Sequence, residues 1–89
     1  MSAFDDLMAD AYELERMTFR DIRRMTRAKD AAKKRGAAPK DLRRVESIAF
    51  NQGFRAARME EIYAKAVRLP GVTPEKVVDR ILSWEFEEE

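Results

Sequence analysis

Apolar and near-apolar positions recur at helical spacing from the start of the chain: Phe4, Leu7, Met8, Ala11, Leu14, Thr18, Ile22 and Met25. At about 100° per residue they share a sector of about 120°, which predicts a one-sided amphipathic helix. No Gly or Pro interrupts the chain before Gly36. Ser2 suits the N-cap, and Asp5 and Asp6 complement the positive end of the helix dipole. Lys33, Lys34 and Arg35 suit the opposite end, and Gly36 reads as the stop. The first helix is expected over residues 2–35.

A second helical pattern opens at Pro39. Val45, Ala49, Gln52, Ala56, Met59, Tyr63 and Ala66 follow a heptad rhythm, the mark of a helix–helix seam. Leu42, Ile48, Ala57, Ala64 and Val67 widen it, and Gly53 in its middle predicts a place where another backbone or the Phe50 and Phe54 rings need room. This helix is expected over 39–69, ended by Pro70-Gly71.

The third element is short. Thr73 is the expected N-cap, Pro74 the first helical residue, and Val72 a staple onto Val77. The helix is expected over 73–86, with Val77, Val78, Ile81 and Leu82 as its buried stripe and an acidic tail at 87–89. Trp84 is expected to close the core.

The expected architecture is therefore all-α and a single domain: a long antiparallel helical hairpin plus a short third helix. Two long helices bury little surface alone, so the hairpin is expected to dimerise into a bundle through the flanks of Tyr12, Phe19, Phe50 and Phe54. The alternative is a shorter monomeric bundle with helix one broken near Thr26.

Composition narrows the chemistry. The 89 residues contain neither Cys nor His, which excludes disulfides, thiolate or imidazole metal sites and a His general base. No enzyme activity, cofactor or metal is expected. No run suits a bilayer span, and Asp5, Asp6 and Asp10 occupy the stretch where a secretory signal carries cations. The expected location is cytoplasmic, with no membrane partner.

The net charge of +1 hides a strong asymmetry. Residues 1–19 carry net −4, residues 20–44 carry eleven cations against three acids for net +8, and residues 45–89 carry net −3. Clustered Lys and Arg at a hairpin tip suit a phosphate backbone. The candidate contact set is Arg23, Arg24, Arg27, Lys33, Lys34, Arg35, Lys40, Arg43 and Arg44. No aromatic residue interleaves them, so stacked single-stranded bases fit less well than duplex or structured RNA.

Three weaker patterns compete. Ala32, Gly36, Leu42 and Val45 resemble part of a helix-turn-helix, with Lys40, Arg43, Arg44 and Ser47 towards the groove, although Arg35 stands where that pattern takes an apolar residue. Glu15, Glu46, Glu60 and Glu61 offer a carboxylate-only ligand set, which pairing with Arg at the seam edge explains better. Trp84 and Phe86, interleaved with acids, read as a docking peptide for a basic groove. The expected function is a small non-catalytic regulator contacting DNA or RNA, or an acidic protein surface, as a homodimer. The alternative is a protein–protein adaptor or inhibitor, such as a small phage or mobile-element protein, docking through Phe19, Phe50, Phe54, Trp84 and Phe86.

Overall fold

The computed structural model describes residues 2–36 and 39–86, the side chains of Arg35 and Asp41 excepted. The expected acidic tail at 87–89 and the Ala37-Ala38 connection lie outside the described residues. The described residues are all-helical: α1 spans Ala3–Arg35, α2 Pro39–Val67 and α3 Pro74–Leu82. Their principal extents are 54 × 22 × 20 Å, and no helix among them is long and apolar enough to cross a membrane.

The ends of the helices follow their capping chemistry. Ser2 Oγ accepts from the Asp5 amide at 3.1 Å and donates to the Asp5 carboxylate at 2.9 Å, fixing the start of α1. At its far end Gly36 takes φ 77°, a left-handed conformation that disfavours any side chain. Between these caps α1 runs unbroken through Thr26, whose hydroxyl donates back to the Ile22 carbonyl at 3.0 Å.

The other two helices end earlier than their sequence suggests. α2 stops at Val67 rather than residue 69, because the amides of Arg68 and Leu69 bond three residues back and tighten the last turn. α3 begins where Thr73 Oγ1 accepts from the Lys76 amide at 3.2 Å. It ends at Leu82 rather than residue 86. The acids that follow are unfavourable at the negative end of a helix dipole. Trp84 and Phe86 instead leave the helical path and lie against α1. The Trp84 ring meets Tyr12 edge-on at 5.5 Å, and Phe86 lies 5.4 Å from Tyr12 and 5.6 Å from Phe19.

The apolar core sits where all three helices meet. Phe4 and Met8 of α1, Ala66 of α2 and Val77 of α3 are buried together, flanked by Leu7, Tyr63, Leu69, Val72, Ile81 and Trp84. Burying a Phe, Met or Val side chain is worth about 1.5–3 kcal/mol, so this cluster anchors α3 and the Trp84 segment to the long helices.

Away from that core the α1·α2 contact becomes polar. Tyr63 donates its hydroxyl to Glu15 at 2.9 Å. Burial and the nearby Glu15 carboxylate push the Tyr63 phenol far above its ordinary range. About two turns further, Arg55 bonds to Asp21, and its Nε donates to Thr18 Oγ1 at 3.4 Å. Beyond this layer Ala28 and Ala32 line a common groove with Leu42 and Val45. Contact positions thus rise along α1 as they fall along α2.

These contacts shift the buried faces from those the periodicity suggests. On α2, Ile48, Met59, Ile62 and Ala66 are buried and Val45, Gln52, Arg55 and Tyr63 half-buried, while Ala49, Ala56, Ala57 and Ala64 are exposed. On α1, Asp21 is buried while neighbouring Ile22 is 53% exposed. The larger Ile side chains and the Asp21–Arg55 pair decide the rotation, against a stripe that counted Ala as core and Arg as surface. Glu15 pairs with Tyr63 rather than Arg, and Glu46, Glu60 and Glu61 are exposed.

Candidate functional site

The end of the molecule around Gly36 takes cations from both long helices. From α1 come Arg27, Lys29, Lys33 and Lys34, and from α2 come Lys40, Arg43 and Arg44, all exposed. A groove of about 360 Å³ between the two helices is lined by Lys29 and Lys33 of α1 and by Leu42, Val45 and Glu46 of α2. Its floor is apolar because Ala28 and Ala32 are too short to fill the space facing Leu42 and Val45.

Among the described residues none of these seven cations takes part in an ion pair. Towards the other end the cations are mixed: Arg58, Lys65, Arg68 and Lys76 are likewise exposed and outside ion pairs among the described residues, while three are engaged. Arg16 is 3.0 Å from Glu13, Arg55 is bonded to Asp21, and Arg80 lies 2.9 Å from Asp5. The Arg80 guanidinium and the Ser2 hydroxyl hold the Asp5 carboxyl below its ordinary range. The fold thus uses several of its outlying cations internally and leaves seven cations of the +8 segment open to solvent.

Not every candidate cation is equally placed. Arg24 lies 3.4 Å from the buried Asp21 carboxylate and so serves the polar layer. Arg23 is half-buried on the same stretch of α1. The side chain of Arg35 lies outside the described residues. Lys29 was not among the sequence candidates, and only its place on the shared groove brings it in.

The aromatic candidates divide into two groups. Phe19, Trp84 and Phe86 are half-buried against one another and Tyr12, so the chain uses them to hold its own final segment. Phe50 and Phe54 are 72% and 71% exposed, with ring centroids 6.3 Å apart on the outer side of α2. Gly53 beside them is not crowded: a Cβ there would meet nothing within 4 Å.

The helix-turn-helix pattern around Gly36 is not matched in space. α1 and α2 stay in contact from Ala28 and Val45 back to Met8 and Ala66, whereas helix-turn-helix partners cross and diverge. Among the described residues no three carboxylates gather into a possible metal-holding group. Comparison with protein-family models, curated proteins and solved structures finds no match to this chain.

Proposed function

We propose that this chain is a non-catalytic binding protein that grips the phosphate backbone of a double-stranded nucleic acid with its basic end. In this reading α1 and α2 form an antiparallel hairpin, its turn carries the cations, and two hairpins associate. The observation that supports it most is the grouping of exposed cations at one end. Arg27, Lys29, Lys33, Lys34, Lys40, Arg43 and Arg44 are exposed and outside ion pairs among the described residues, in a segment where eleven cations face three acids although the whole chain is almost neutral. Free cations grouped on two adjacent helices release counterions when they meet phosphates, which makes binding favourable and strongly dependent on salt. Nothing aromatic lies among them, so base stacking contributes nothing and sequence preference is weak.

The test is fluorescence anisotropy with duplex DNA and duplex RNA across a salt series. Engagement of six or more phosphates lowers affinity about a thousandfold between roughly 50 and 200 mM salt. Charge reversal at Lys34, Lys40 and Arg44 together abolishes binding while leaving helicity unchanged. Binding that ignores both salt and these reversals overturns the reading. Capture of an acidic protein instead, with no affinity for either duplex, replaces nucleic acid by a protein surface as the partner.

A further inference from the structure

We propose that the outer face of α2 is a self-complementary seam for a second copy of this chain, docked antiparallel about a twofold axis at the level of Gln52 and Gly53. It shares only Arg43 with the nucleic-acid reading and does not rest on it, because the central contacts are apolar and lie away from the Gly36 end.

α2 carries two heptad stripes. One, through Val45, Ile48, Gln52, Arg55, Met59, Ile62 and Ala66, is turned towards α1. The second consists of Arg43, Ser47, Phe50, Phe54, Ala57 and Glu61, spaced by alternating steps of four and three, and every member is exposed. Such spacing keeps one face in line along a helix pair. At its centre two large rings stand beside a glycine whose Cβ position is empty. Glycine at that helical position weakens α2 and relieves no crowding within the chain. A close approach by a partner backbone would use it.

The charges select the direction. Antiparallel docking about Gln52 sets each residue opposite the one equally far on the other side. Phe50 then meets Phe54 of the second copy, Ser47 meets Ala57, and Arg43 meets Glu61. Just off the line Glu46 falls opposite Arg58. Arg43, Glu46, Arg58 and Glu61 have no ion-pair partner within the chain among the described residues. Parallel docking would place each charge on its own copy. The arrangement is isologous, with four rings flanked by two small-residue layers and closed by oppositely charged pairs. Beside Phe54 a groove of about 520 Å³ opens between α2 and α1, lined in part by Leu7, Ala57 and Ile62 and by the charged Arg58 and Glu61 that the seam uses.

Sedimentation equilibrium of the full chain, with circular dichroism as the control for folding, tests the assembly. The unmodified chain is expected at twice the chain mass on the order of 100 μM, and Phe54→Glu at the chain mass with helicity retained. Arg43→Glu is expected to weaken association at least tenfold, and Arg43→Glu with Glu61→Arg to restore it. The register has its own test, since the chain has no native cysteine. Ser47→Cys with Ala57→Cys in one chain is expected to give an oxidised covalent dimer, whereas either substitution alone is not. A monomeric unmodified chain, a Phe54→Glu dimer, or efficient cross-linking by Ser47→Cys alone overturns the proposal.

Discussion

Asp21 of α1 and Arg55 of α2 bond to each other inside the helix–helix contact, their side chains only 5% and 11% exposed. Thr18 accepts from the same guanidinium, and Arg24 approaches the same carboxylate. A charged pair in this place contributes less to net stability than to choosing one alignment, because most other offsets of the two helices would bury Asp21 or Arg55 alone.

Removing one partner is therefore expected to cost far more than removing both. Asp21→Ala leaves Arg55 buried without its carboxylate and is expected to lower stability by about 3–5 kcal/mol. Asp21→Leu combined with Arg55→Met fills the layer with apolar atoms and is expected to recover most of that loss. Urea denaturation followed by circular dichroism measures both. Equal losses in the single and double variants would show that the pair does not act as a unit.

This layer also marks how far the sequence could be read. The all-helical class follows from uninterrupted 3.6-residue periodicity, and the caps at Ser2 and Thr73 fall where the residue types place them. The buried side of α2 does not follow as directly. Arg55 looks like a surface residue until Asp21 is known to face it, and Ala49 and Ala56 look like core until Ile48 and Ile62 outweigh them. Likewise the +8 segment is visible in a charge count, but only coordinates separate exposed Lys34 and Arg44 from Arg24, which Asp21 engages. The turn of Trp84 and Phe86 onto Tyr12 and Phe19 is a long-range contact with no local signal.

Gly53 offers a separate measurement. A methyl group there meets no atom within 4 Å and sits in ordinary helical backbone. Gly53→Ala is expected to raise the stability of the isolated chain by about 0.8–1 kcal/mol. The comparison belongs in a Phe54→Glu background, where association does not enter, and thermal unfolding reads it. No gain there would mean that the position is constrained by something other than helix propensity.

Asp5 gives stability a dependence on acid. Its carboxyl is held below the ordinary 3.8 chiefly by the Arg80 hydrogen bond and then by Ser2. A carboxyl with a depressed folded value contributes stability above its unfolded value, and that contribution is lost as pH falls through the folded value. The unfolding midpoint is thus expected to drop on acidification from about one unit above 3.8 downwards. Asp5→Asn is expected to lower the midpoint at neutral pH and to flatten the acid limb. An unchanged acid limb would assign that limb to other carboxylates.

The final segment is held by rings rather than by helix. Phe86→Ala removes the contacts with Tyr12 and Phe19, each worth about 0.5–1.5 kcal/mol beyond its buried area. Amide exchange in residues 83–86 is expected to accelerate, with the α1·α2 contact unaffected. Trp84 remains in the core cluster, so its fluorescence is expected to shift little. A large red shift would show that the segment releases as one piece.

The length of the molecule gives its uneven charge a mechanical meaning. With acids gathered near Phe4 and cations near Gly36 along a 54 Å axis, a single chain is a permanent electric dipole. An anionic surface exerts a torque on it and turns the Gly36 end forward before any contact forms. Two such dipoles laid side by side in opposite directions cancel, so pairing would exchange this compass-like alignment for a rod with cations at both extremities, and electric birefringence would distinguish the two.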